Sequence, residues 1–322
     1  MRFTASNNIL SKTNVMGLTD TIPPLTFTPV KFSVVTPSYK NSNWLRLCIA
    51  SVADQKEVEV EHIVQDSCSD DGTQDWLPQD KRVKAFIEKD SGMYDAVNRG
   101  LRRATGDIFS YLNCDEQYLP GALKVVKDYF ESHPEVDVIF ADAVVTDPEG
   151  NYICHRYAAI PLQSHLPVRF PVLTCAMFFR RRVAHELGIW FDTKWKIVGD
   201  AMWVLELLKS PARIAVLRRF TSIFSETGGN LCLTPRAVEE MATFNNMASP
   251  CIQKFSRAVA LYHGWRMLIG GAFFRSPFSY ELYTDKSPTR RVVRRAVKPT
   301  GLWPGRRGNS VATQKPVKES PL

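Results

Sequence analysis

No stretch of this chain is long and apolar enough to span a bilayer, which takes about 20 residues. The most apolar window, VALYHGWRMLIGGAFF at 259–274, is shorter and is interrupted by His263 and Arg266. A signal-peptide core is also missing. Leu10 stands among polar residues, and residues 1–29, rich in Asn, Ser, Thr and Pro, read as a disordered lead-in. Cysteine is sparse. The seven are scattered, odd in number and without a CxxC pair. That argues against a zinc site or a disulfide framework and for a reducing compartment, hence a cytoplasmic protein. No internal repeat appears at solenoid or propeller periods. Acidic residues are scarce at one end. Residues 286–322 hold ten of the 41 Lys and Arg but one of the 33 Asp and Glu. The net charge of +8 therefore describes a near-neutral globule with a basic tail, and no specific nucleic-acid partner is expected.

What is present is an alternation of strands and helices. At 322 residues and 44% hydrophobic, the chain can bury the core of one large α/β domain with additions, or of two small ones. A first strand begins at Lys31 and ends at TPSY, 36–39. A helix follows from about Asn43, a second strand runs to Val64 with Asp66 at its end, and a third runs over 83–87 to Glu88-Lys89-Asp90. Alternation of this kind implies a mainly parallel sheet with right-handed crossovers. Thr36, Asp66, Asp90 and Asp115 should then gather along one sheet edge.

The organising stretch is EKDSGMYDAVNRGLRRATGDIFSYLNCDEQ, 88–117. Ser91 is placed to cap a helix over about 92–104. Met93, Ala96, Val97, Gly100, Leu101 and Ala104 recur at helical spacing as its buried face, which leaves Tyr94, Asp95, Asn98 and Arg99 pointing away. DIFSYL, 107–112, reads as a buried strand, and Asn113-Cys114-Asp115-Glu116 follows at its carboxyl end. Open α/β sheets bind ligands in the crevice there. Oxygen ligands suit a hard cation, Mg²⁺ or Mn²⁺. The plainer reading of Asp115-Glu116 is a solvated turn or a cap ahead of Pro120. Asp71, in its Asp-Gly setting, reads as a turn residue.

Five pieces in order resemble the nucleotide-sugar half of a family 2 glycosyltransferase of the GT-A type, in the style of bacterial polysaccharide-building enzymes. They are FSVVTPSYKN (32–41), HIVQDSCSDDGT (62–73), EKDSGMYDAVNRG (88–100), ATGDIFSYLNCDE (104–116) and LPGAL (119–123). The resemblance implies a Rossmann-like central sheet flanked by helices and an inverting transfer from a nucleotide-diphosphate sugar, a UDP-sugar by expectation, to a hydroxyl of a glycan or lipid-linked acceptor. It makes Asp66 and Asp90 nucleoside contacts, with Thr36, Pro37, Asn98 and Asn113 on the nucleotide side, and Asp115 the metal-binding aspartate. Asn113 departs from a carboxylate at the first position of the DxD motif, and Glu116 either compensates or caps the next helix. IVGDAMWVLELL, 197–208, resembles the segment that carries the general base, Asp200, which could equally cap its helix. The processive signature QxxRW is absent, which favours single-sugar addition.

Two other readings stay open. One is a degenerate sugar-nucleotide-binding protein, with Asn113 as the symptom. The other is a nucleotidyltransferase, which would need a Gly-rich basic loop where TPSYKNSN stands. Cys68 and Cys114 read as small packing residues, and His155 and His165 as structural more readily than functional. SETGGN, 225–230, is given no chemistry. The expected organisation is a lead-in at 1–29, a GT-A domain at 30–234, a helical C-terminal extension at 235–285 and a basic disordered tail at 286–322. The apolar helix near 259–274 is either a core or docking helix or an interfacial one, and the tail either attracts anionic lipid at the inner membrane face, binds nucleic acid, or does neither.

Overall fold

The computed structural model describes residues 30–228 and 235–304. The expected lead-in, the end of SETGGN and the last part of the tail lie outside the described residues. The first half reads as the sequence predicts. β1 (Lys31–Ser38), β2 (Glu59–Asp66), β3 (Lys84–Ile87) and β4 (Ile108–Tyr111) are parallel in the order β3-β2-β1-β4. Between them lie α1 (Ser42–Ala53), the one-turn α2 (Thr73–Trp76) and α3 (Met93–Arg103). Both Gly100 and Val35 sit where α3 presses on β1. A Cβ on Gly100 would stand 2.4 Å from a Val35 methyl carbon, so only glycine permits this approach.

Beyond β4 the sheet is mixed. β5 (Glu116–Tyr118), α4 (Ala122–Ser132), β6 (Val138–Thr146) and β7 (Tyr152–Arg156) come next. They are followed by β8 (Met177–Arg180), α5 (Arg181–His185), α6 (Gly199–Lys209) and β9 (Ile214–Ser225). β8 is antiparallel to both β4 and β6, which turns β6 back to the direction of β4. β9 then pairs in parallel with β6 and antiparallel with β5. The purely parallel character thus holds for one half of the sheet only. The short β8, reached from β7 through residues 157–176, reverses the sense.

α3 departs from its predicted faces. Tyr94 and Asn98 are buried as fully as the apolar stripe. The helix is covered on both sides, by the sheet and by the segment ahead of α6, where Phe191 stacks on Tyr94 at 5.5 Å. A single-face periodicity cannot announce a second covering layer. Ser91 does not cap the helix either. Its N–H and hydroxyl both donate to Asp95, and Gly92 holds the cap position at φ 129°.

The C-terminal part corrects the expected boundaries. α7 (Pro235–Asn245), α8 (Pro250–Lys254) and α9 (Ser256–Ile269) are helical as expected, but β10 (Phe278–Thr284) and β11 (Ser287–Ala296) form an antiparallel ribbon. The supposed disordered tail is therefore ordered through this ribbon, and it is docked. Arg291, with its side chain 8% exposed, makes a forked ion pair with Asp54 of α1 at 2.5 and 2.7 Å. Tyr283 donates to Asp54, and the Gln117 amide bonds the Tyr283 backbone in both directions, at 2.8 and 2.9 Å. Composition called this segment basic. It could not show that one arginine would be spent on a carboxylate 237 residues away.

Asp54 is 30% exposed, so water replaces part of a lost partner. Arg291→Met should lower unfolding free energy by about 1 kcal/mol and expose the ribbon to protease ahead of the rest, as read by denaturant melts and limited proteolysis.

Candidate functional site

The register of the strands builds the site. Ser38 of β1 lies opposite Asp66 of β2, and Asp66 opposite Ile87 of β3, so these strands end together. β4 pairs with β1 only as far as Tyr111, and the Leu112 N–H closes on the Val35 carbonyl. From Thr36 onward the β4-facing edge of β1 therefore has no strand beside it. The Thr36 hydroxyl does not face this edge, being fully buried against His62 at 2.8 Å. Burial pushes His62 down to about 3, so the ring is neutral. What Thr36 and Pro37 offer is main chain.

Asp66 is wholly buried, and both its oxygens serve the following turn, from the Ser69 N–H (2.8 Å) and hydroxyl (2.7 Å). Asp90 accepts the Gly92 N–H through Oδ1 at 2.9 Å and stays partly open. Asp71 is a turn residue as expected, holding Ser42 and Thr73. Asn98 needs correcting as a nucleotide contact. Its amide donates to the Phe191 carbonyl at 2.7 Å and accepts the Phe191 N–H at 3.1 Å, which consumes its group in the interior. His155 is structural, bonded to Tyr152 and to the Ala272 carbonyl. Cys114 is a packing residue whose thiol burial holds well above its usual range.

The acidic turn after β4 is tight. The Glu116 N–H donates to the Asn113 carbonyl at 3.0 Å, and Glu116 Oε2 accepts the Asn113 N–H at 2.8 Å. Glu116 therefore closes this turn and does not cap α4, which begins after Gly121. Two oxygens in the turn, Asn113 Oδ1 and Glu116 Oε1, are buried without a partner. Such orphans are costly unless something outside the chain satisfies them. Burial pushes both Asp115 and Glu116 upward, and Glu116 is raised further by the charges of Asp115 and Asp200.

Asp200 is the other carboxylate whose charge reaches Glu116. α6 begins at Gly199 with Val198 at its cap, so Asp200 is a first-turn residue and not the cap. Its Oδ1 accepts the Ala201 N–H at 2.7 Å. Burial drives its carboxyl up to about 6, and the bonds from Ala201 and Tyr94 partly oppose this. The Tyr94 hydroxyl lies between Asp200 and the Ile197 carbonyl, at 3.0 Å from the latter, and its one proton serves one of them at a time. Gly199 is required here, since a Cβ would stand 2.5 Å from the Tyr94 ring.

Sequence reasoning missed two supports. Tyr94 was assigned to the outside of α3. Glu240 of α7, a region without a recognisable pattern, accepts the N–H groups of Lys196 and Ile197 at 2.9 and 2.8 Å and so holds the approach to Asp200.

The turn offers oxygen donors of the kind a hard cation takes, the Asp115 carboxylate and the two orphaned oxygens of Asn113 and Glu116. Among the described residues no group of three or more His, Cys, Asp or Glu side chains that could hold a metal ion is found. Asn98→Ala should cost about 2 kcal/mol by leaving the Phe191 main chain unpaired. Nucleotide affinity should change little, as titration calorimetry beside a denaturant melt would read.

Comparison with known proteins follows the same outline. The model of "Glycosyl transferase family 2" matches residues 33–188. An uncharacterized glycosyltransferase of Nostoc sp. is 25% identical over 185 residues, 53% of this chain and 57% of that protein. TuaG of Bacillus subtilis, a putative teichuronic acid biosynthesis glycosyltransferase, is 37% identical over 91 residues, 27% of this chain and 36% of TuaG. The chain thus spans about half or less of these two relatives' length. The crystal structure of S. aureus TarS 1-349 in complex with UDP shares the fold, with a TM-score of 0.50 at 18% identity over 74% of this chain and 72% of that one. The chain is therefore similar to glycosyltransferase family 2 over residues 33–188, just under half of its length, and has the GT-A fold.

Proposed function

We propose that this protein is an inverting glycosyltransferase that moves a sugar from a nucleotide-diphosphate sugar, UDP-linked, to a hydroxyl of a glycan or lipid-linked acceptor. The observation that carries the reading is the turn after β4, where Asn113 and Glu116 bond each other and each keeps a buried oxygen without a partner, together with Asp200 in the first turn of α6, whose charge also reaches Glu116. The UDP complex of TarS supports the donor class.

In this reading the main chain of Thr36 and Pro37 and the open oxygen of Asp90 hold the nucleoside. Asp66 shapes that wall through its Ser69 turn. Asp115, Asn113 and Glu116 would hold Mg²⁺ or Mn²⁺, which neutralises charge on a departing diphosphate. Asp200 removes the acceptor's proton as the acceptor oxygen forms its bond to the anomeric carbon. The bond from that carbon to the diphosphate oxygen breaks on the opposite face, and the nucleoside diphosphate leaves with the electron pair. A carboxyl raised to about 6 is a stronger base than an ordinary aspartate and is still ionised at neutral pH. Asn113 in place of a carboxylate favours a second reading, binding of the sugar nucleotide without transfer.

Asp200→Asn should reduce transfer by at least ~10²-fold while the UDP dissociation constant stays within about twofold, a factor worth only ~0.4 kcal/mol. Wild-type levels of transfer by this variant would end the base assignment. Asp115→Asn should abolish the Mn²⁺ dependence of UDP binding in calorimetric titration. Absence of any UDP-sugar turnover by the wild type, with binding intact, would favour the second reading.

The pH dependence has a definite sign. Transfer should climb with pH through about 6 and then level off, as Asp200 ionises. Because its folded value lies above the ordinary one, the stability this group contributes is present at low pH and lost as pH rises through about 6. Asp200→Asn should flatten that stability loss in thermal melts across the same range.

A further inference from the structure

α9 is only half used by the fold. Val259, His263 and Met267 are buried, while Leu261, Trp265 and Ile269 on the opposite side are 76%, 55% and 66% exposed. Tyr262 and Leu268 flank them, and Phe274 beyond the helix is 77% exposed. Contiguous exposed aromatic and aliphatic side chains of this kind mark an interaction surface. The surrounding charge identifies the partner. Residues 241–280 contain Lys254, Arg257, Arg266 and Arg275 and no Asp or Glu.

Under the helix lies a cavity of about 210 Å³, bounded by Tyr157 to Ile160, Val216, Arg218, Arg266, Met267 and Gly270. Guanidinium groups converge on it. Arg218 pairs with Asp142 at 2.6 Å and lies over the Tyr157 ring, Arg275 donates to the Tyr157 hydroxyl, and Arg266 donates to the Ile160 carbonyl. His263, one helical turn from Met267, is 95% buried with Nε2 lacking a partner, and the nearby charges of Arg169, Arg156 and Arg266 help to keep it neutral. Arg218 and Arg266 line this half-apolar cavity and Arg275 stands behind Tyr157, against the single carboxylate of Asp142, which leaves excess positive charge for an anion.

We propose that α9 docks on an anionic bilayer, with its Leu261–Trp265–Ile269 side in the interfacial layer and a lipid phosphate seated in the Arg218–Arg266 cavity. A second copy of the chain is a poorer occupant, because a self-facing patch would oppose basic residues with no acidic ones between them. The contact is thereby assigned to α9; of the basic tail, Arg291 is already engaged with Asp54. The assignment does not depend on donor chemistry, and its test involves no nucleotide.

The test is flotation of the full chain with vesicles of phosphatidylcholine alone and of phosphatidylcholine with phosphatidylglycerol. Wild type should bind the anionic vesicles. The exposed triple change Leu261→Asn, Trp265→Asn, Ile269→Asn should lower binding by at least ~10-fold through lost apolar burial. Arg266→Gln should lower it about fivefold, as expected for one basic residue near such a surface. Brominated acyl chains should quench wild-type fluorescence by an increment that Trp265→Phe removes, a reading that survives if the triple variant misfolds. Equal flotation of wild type and triple variant, no quenching of Trp265, or protection by inorganic phosphate without vesicle binding would each overturn the proposal.

Discussion

Desolvation of carboxylates at one sheet edge is the constraint around which this molecule is built. Asp115, Glu116 and Asp200 all have their ionised forms disfavoured by burial, and no cationic side chain stabilises any of the three. Burial also raises Asp142, to about 7, although Arg218 pairs with it; other acids are treated differently. Glu61 is held down to about 2, because although burial opposes its charge, Lys84, Ser33 and Thr105 all bond it. Asp137 is likewise held low by Arg182 and the Arg213 N–H against its burial. The contrast separates carboxylates that staple the fold from those left electrically unsatisfied. Only the latter are poised for chemistry with something that arrives from outside.

The supports around that edge share a logic. Phe191 is clamped by Asn98 and stacked between Tyr94 and Trp203, with Tyr111 set edge-on. This aromatic layer fixes the segment that leads into α6. Glu240 fixes the same segment from the other side by taking its main-chain N–H groups. Asp200 is thus positioned by groups that need touch no ligand, as a site requires when small displacements cost rate.

Much of this was legible in the sequence, for physical reasons. Strand–helix alternation and the runs ending in Asp66, Asp90 and Asp115 predicted the parallel half, because buried parallel strands read as apolar runs bounded by polar turns. Asp200 was found by resemblance and not by pattern, since an aspartate in a helix's first turn is ordinary. Asn98 misled because an amide on the polar side of a helix looks available until a second layer covers it. The roles of β9 and the β10–β11 ribbon were not visible, because their half-polar faces become intelligible only beside partners distant in sequence. The tail misled for a related reason. Charge counts describe composition, and one buried pairing such as Arg291 with Asp54 reverses what they suggest.

The Gln117–Tyr283 bonds also set an order of assembly. Gln117 directly follows the acidic turn, and its amide is held by a strand 166 residues later, while Arg291 reaches the neighbouring Tyr118 carbonyl. A nascent chain emerging from the ribosome can complete the parallel strands early. It cannot brace the acidic loop until nearly all of its length has been made. Polypeptides cut short during synthesis would therefore fold their nucleotide half yet present a slack, unbraced acidic loop.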